Sequence, residues 1–267
     1  MTLLDTRPDG RVPARDSIAA PTALSVLTAR LMRAGVREGQ FFFSFGSPIV
    51  FFVCLYVPLY RRFAAYDGGY AQYLTPVIIL QAAMFAAIIS AEIAAAEAQD
   101  GVRDRLASLP MERWLPVASR ILYAAVRILV ATAGAVVIGS AFGFRFHGSW
   151  WQSAQFVVLA IVFAVGLSML TDSLAQIAAH PDSLVQILMI PQLLLVMLST
   201  GLVPAQAFPD WIAPVVRNQP VSIFSDSMRT LSNGVAPHYL PVVAWSLGLL
   251  VAGVVAVMVA ARSEVRR

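Results

Sequence analysis

Six long apolar stretches limit what this chain can fold into more than any other feature. They fall at 41–60, 73–96, 118–143, 153–176, 184–202 and 239–261, each about 19 to 26 residues long. At 1.5 Å per residue, a helix of that length crosses roughly 30 Å of hydrocarbon. A bilayer core offers no water to backbone N–H and C=O groups, so a span must satisfy them internally, as a helix does. Only 13% of the 267 residues are charged, about half the share of an ordinary soluble domain. Tyr60, Tyr73, Trp150, Trp151, Tyr239 and Trp245 stand at or near stretch ends, where amphipathic rings favour the membrane–water boundary. The expected fold is an all-α membrane protein with six transmembrane helices. Pro181 and Pro191 bracket and interrupt the fifth stretch, which is the weakest of the six.

Arginine sets the expected orientation, since the chain has no lysine. With the N-terminus inside, 13 arginines fall on cytoplasmic segments: Arg7, Arg11, Arg15, Arg30, Arg33, Arg37, Arg103, Arg105, Arg113, Arg120, Arg262, Arg266 and Arg267. Five fall outside, namely Arg61, Arg62, Arg145, Arg217 and Arg229. This bias satisfies the positive-inside rule with both termini in the cytoplasm of a cell-membrane protein. Residues 1–21 are polar and lack the apolar core of a secretory signal, so they read as a disordered cytoplasmic tail. Residues 22–38 read as an amphipathic surface helix, with Leu24, Leu27 and Leu31 on one face and Arg30, Arg33 and Arg37 on the other.

Two segments between spans carry more than topology. The loop from Glu97 to Arg113 holds Gly101, which permits a tight reversal, and a two-turn helix that Pro110 ends. Leu106 and Leu109 share one face of it beside Arg105. Such a helix suits a groove on a cytoplasmic partner, and equally suits packing on its own bundle. Residues 203–237 are too polar and proline-broken to span, yet too apolar for a free loop. They read as two short helices, 211–217 and 222–231, dipping into the outer leaflet as a lid or as a structural cap.

Three charges lie inside expected spans: Glu92, Arg127 and Asp172. Glu92 and Asp172 are within a turn or two of the cytoplasmic end, where both can reach water. Arg127 lies deeper, and either pairs with an acid such as Glu92 or Asp172 or meets an anionic substrate headgroup. Without lysine there is no P-loop, so no nucleotide site of that kind exists on this chain. The single cysteine, Cys54, and the scattered His147, His180 and His238 form no zinc pattern. No residues stand in an evident catalytic arrangement. An ion-coupled secondary transporter remains the alternative class, though only Pro48 and Pro191 interrupt spans and there is no internal repeat. A membrane-embedded enzyme or a scaffold fits less well.

The residues resemble a known family, the membrane subunits of ABC type-2 exporters of the daunorubicin-resistance type. The likeness covers roughly residues 35–262 and rests on three motifs in order. The first is Glu97, Gly101, Arg105, Leu106, Leu109, Pro110 and Arg113. The second is Ser199 to Pro204 followed by Pro209, Trp211, Ile212 and Pro214, and the third is Gln219, Pro220, Val221 and Ser222 with Met228 and Arg229. The family often carries a basic residue where this chain has Ala98. The resemblance implies a connecting helix at 22–38, a six-span permease domain at 39–262 and a cytoplasmic C-terminus at 263–267. It implies a coupling helix at Gly101 to Pro110 that docks on a separate ATPase, and re-entrant helices at 205–233 that close an outer gate. The implied partners are two ATPase subunits, a second permease chain of the same or a homologous kind, and membrane lipids, with no nucleic acid. ATP and magnesium would sit on the ATPase, and this chain would bind no cofactor. The pathway would lie between two permeases, lined by apolar residues of the first, second and fifth spans.

Overall fold

The computed structural model describes residues 19–61, 69–108, 112, 114–178, 181–203, 206 and 208–265. Most of the tail expected at 1–21 lies outside them, as do Leu109, Pro110, Arg113 and Pro204. Among the described residues ten helices follow in order: α1 (Ala20–Arg37), α2 (Gln40–Leu59), α3 (Gly69–Gln99), α4 (Val102–Ala107), α5 (Leu115–Ala141), α6 (Trp150–Ile177), α7 (Pro181–Met197), α8 (Ala213–Asn218), α9 (Pro220–Ser232) and α10 (Tyr239–Val265). Five of them, α2, α3, α5, α6 and α10, are long and apolar enough to cross a membrane.

α3 is the axis of the bundle. In its most apolar window 78% of residues are buried, against 17% for α2 and for α10. Its run of alanines, from Ala82 to Ala95, lets α5 and α6 approach closely. α3 shows the outside only a narrow stripe that includes Phe85, Ile89 and Glu92. α6 and α10 meet through glycines: a methyl at Gly166 would press on Leu249, and one at Gly253 on Met169. The outward faces are apolar, with Phe42, Val50, Leu240, Leu247 and Val251 exposed. Apolar surface of that extent marks a partner or a membrane.

α7 corrects the fifth span. The sequence pattern extends it to Leu202, but the helix stops at Met197 after 17 residues, about 26 Å. Its last carbonyls are taken by another element. Gln219 Nε2 donates to the carbonyls of Leu195 and Leu198, at 3.1 and 2.5 Å, and Thr200 N donates to Ser222 Oγ at 3.0 Å. The chain therefore leaves the helix where α9 satisfies its end. At the other terminus, α10 runs on to Val265, through part of the segment expected as a separate tail.

Candidate functional site

α1 packs on α5 through Ala23 and Leu27, which cluster with Leu115, and half-buried Leu106 of α4 joins the same cluster. Arg30, Arg33 and Arg37 lie on the exposed face, as the helical spacing requires. Gly39 turns the chain into α2 at φ 73° and Gly101 turns α3 into α4 at φ 66°, a region open to glycine at no steric cost. α4 is thus held between α1 and the end of α3. Arg105 is exposed, whereas Leu106 faces its own bundle.

A chain of four charges crosses this end of the molecule. Arg30 of α1 pairs with Glu97 at the end of α3. Arg120 Nη1 of α5 meets the other Glu97 oxygen at 2.6 Å, and its Nε and Nη2 hold both oxygens of Asp172 on α6, at 2.5 and 3.0 Å. Gln176 Nε2 adds a bond to Asp172 at 2.6 Å. The four formal charges cancel. The Asp172 side chain has no exposed surface and Arg120 only 6%. Asp172 therefore does not reach water, because the bidentate guanidinium satisfies it inside. Glu97 points inward as well, with 12% of its side chain exposed. Arg120, counted above only as a topological charge, is the residue that joins three helices, and no local pattern in the sequence marks it.

Twelve residues beyond Leu115, the first residue of α5, Arg127 is buried at 3% exposure. Its Nε donates to Ser44 Oγ of α2 at 3.0 Å, and its guanidinium carbon lies 5.8 Å from the Tyr123 ring centre. It does not pair with Asp172, which Arg120 occupies. Glu92 acts on it only across a longer distance, from the exposed stripe of α3.

The opposite end of α3 carries a clasp. The guanidinium of Arg229 on α9 lies 3.6 Å from the Tyr73 ring centre. It donates to Tyr73 O at 3.3 and 3.2 Å and to Asp226 at 2.6 Å. Tyr73 Oη donates to Thr200 O, and Thr200 Oγ1 donates to Asp226 at 3.0 Å. Gln72 joins Ser232 Oγ and Arg145 O, both at 2.9 Å. The short helices expected at 211–217 and 222–231 form as α8 and α9, started by Pro214 and Pro220 in their first turns. α9 buries Val221, Phe224, Met228 and Leu231. Pro209 O accepts from Ile212 N and Ala213 N, while Trp211 is 79% exposed. Tyr73, Gln219, Ser222 and Asp226 complete the clasp. Gln219 and Ser222 stand in the third motif and Tyr73 at a stretch end, whereas Asp226 was missed, although its place three residues before Arg229 is a helical pairing signal.

Among the described residues no three His, Cys, Asp or Glu side chains converge as metal ligands. An all-helical bundle with an apolar exterior, a charged layer at one end and clasped short helices at the other is a multi-pass membrane protein. The family model for ABC-2 family transporter proteins matches residues 56–262, and the chain belongs to that family. It is 32% identical over 215 residues to the doxorubicin resistance ABC transporter permease protein DrrB of Mycobacterium tuberculosis, covering 78% of this chain and 74% of that protein. The probable doxorubicin resistance ABC transporter permease protein DrrC of the same organism is 30% identical over 208 residues, with 76% and 75% covered. The daunorubicin resistance ABC transporter permease protein DrrB1 of Streptomyces coeruleorubidus is 26% identical over 213 residues, with 79% and 73% covered.

Proposed function

We propose that this chain is the non-catalytic permease subunit of an ATP-driven exporter of hydrophobic or amphipathic molecules, such as drugs, lipids or glycolipids. The observation that carries the reading is the family match over residues 56–262. In this reading α7 is the fifth of six spans, both termini are cytoplasmic, and the α4 end faces the cytoplasm. Two ATPase subunits carry ATP and magnesium and dock at α4, where Gly101 and exposed Arg105 stand. α1 flanks them with Arg30, Arg33 and Arg37.

Closure of the ATPases moves α4 and α1 together. Glu97, gripped by Arg30 and Arg120, passes that movement to α5 and, through Asp172, to α6. At the outer end, α8 and α9 with Pro209, Trp211, Pro214, Pro220 and Arg229 form the gate, whose clasp on Tyr73 and Thr200 must release for cargo to leave. A second permease, identical or homologous, faces α2 and α7, whose apolar surfaces are open. That arrangement gives alternating access between the two leaflets.

Arg105→Glu tests the docking, because the side chain is exposed and its reversal leaves the bundle intact. In vesicles holding the whole complex, ATP-driven export falls by about tenfold or more, the equivalent of one desolvated charge contact, while insertion is unchanged. Export at the wild-type rate removes α4 from the docking site.

A further inference from the structure

Buried Arg127 has a setting that the proposed export cycle has not used. A guanidinium has five N–H donors and no acceptor, and the bond to Ser44 accounts for one. Among the described residues no carboxylate lies within ion-pair distance of it. The group lines a small cavity of about 10 Å³ between α2, α3 and α5, with Phe43, Ser44, Ser47, Phe85 and Ala131. That volume admits one water-sized atom. The donors around it are the arginine and the Ser47 hydroxyl, which suit an anionic oxygen, while the Ser44 hydroxyl donates to Gln40 O at 2.8 Å and accepts from Arg127.

The cavity also has an apolar approach. Phe43, Ser47, Val50, Phe51, Cys54 and Val57 recur along α2 at helical spacing, and all are exposed except half-buried Ser47. Phe51 packs on Phe85 of α3 with ring centres 5.6 Å apart. The stripe therefore starts at the arginine and runs toward the opposite end of the bundle. Arg127 lies seven residues beyond Arg120 in α5, about 10 Å deeper. With the α4 end cytoplasmic, that lies within the inner-leaflet half of the apolar stretch expected at 118–143. Exposed Glu92 is the one acid on the neighbouring stripe of α3, seven residues from Phe85 toward the α4 end.

We propose that Arg127, held in place by Ser44, binds together with Ser47 the anionic headgroup of an amphiphile from the inner leaflet, its apolar tail lying along the Phe43–Val57 stripe of α2. The ligand class is an acyl-chain molecule ending in a carboxylate or phosphate. As the cargo of this permease it rests on the exporter reading, but binding itself needs no ATPase. Glu92, on the neighbouring exposed stripe of α3, repels an anionic headgroup, so its neutralisation strengthens binding.

The test is native mass spectrometry of the full-length chain in detergent, with phosphatidic acid and phosphatidylcholine of the same acyl chains as probes. Wild type prefers phosphatidic acid at one molecule per chain. Arg127→Gln lowers its affinity by about tenfold or more, the loss of a charge-assisted contact, and leaves phosphatidylcholine unchanged. Glu92→Gln, which keeps Arg127 and its packing, raises phosphatidic acid affinity by about fivefold. Arg33→Gln with Arg37→Gln removes surface charge and leaves the preference in place. Equal binding of the two lipids, a preference that survives Arg127→Gln, or its loss in the α1 double variant overturns the site. Displacement by inorganic phosphate at equal concentration overturns the amphiphile and leaves a free-anion pocket. None of these results bears on whether an ATPase partner exists, which is read separately by co-purification.

Discussion

Arg120 shows how one side chain can hold three helices at once. Its guanidinium spends three donors on Asp172 and Glu97, and it is buried where an uncompensated charge would cost several kcal/mol. Removing one partner leaves the other charge stranded. Asp172→Ala therefore destabilises the protein by about 3–5 kcal/mol, read as a fall in the unfolding midpoint of the detergent-solubilised chain. Arg30→Ala, at the exposed end of the same chain of charges, where the side chain is 42% open, costs only about 0–1 kcal/mol. Equal losses in the two variants would show that the charges do not act in this order. The sequence alone marks Glu92, Arg127 and Asp172 as charges within apolar stretches, because hydropathy makes them conspicuous. It cannot pair them. Asp172 and Arg120 are 52 residues apart, and only the crossing of α5 and α6 brings them together.

Among the elements, glycines set how closely the helices cross. A methyl on Gly134 of α5 would run into the backbone carbonyl of Phe45 on α2, and a backbone atom cannot swing aside as a side chain does. Gly134→Ala should cost about 1–3 kcal/mol of stability as α2 is pushed off α5, measured by the same thermal midpoint. Gly46→Ala, where open space surrounds the position, is the control and leaves the midpoint nearly unchanged. Periodicity and apolar length located α1, α2, α3, α5, α6 and α10 to within a few residues, since an amphipathic stripe or a run of about 20 apolar residues is a local property. The end of α7 was not legible. Its stop at Met197 comes from Gln219 and Ser222, about 20 residues further along the chain, and no local pattern announces a cap supplied from that distance. Leu106 is a second case. Its place on one face of α4 was readable, but whether that face meets a partner or its own bundle depended on where α1 lies.

At the scale of the molecule, the axial position of α3 orders everything else. Glu97, at its last turn, meets α1 and α5, and Tyr73, near its first, carries the α9 clasp. One 31-residue helix thus joins the two ends at which an exporter would receive its drive and release its cargo. Its central burial was not visible in the sequence, because all six stretches look alike in apolar content and only packing separates an axial helix from a peripheral one. The open apolar faces of α2 and α7 also belong to this scale, since they leave room for a second permease. The most direct measurement is isolation of the full-length chain from its native membrane in mild detergent, with mass spectrometry of the proteins that accompany it. A P-loop ATPase should accompany it in near-stoichiometric amount, together with a second permease copy or a homologous chain. Recovery of the chain alone under several gentle conditions would contradict the exporter reading.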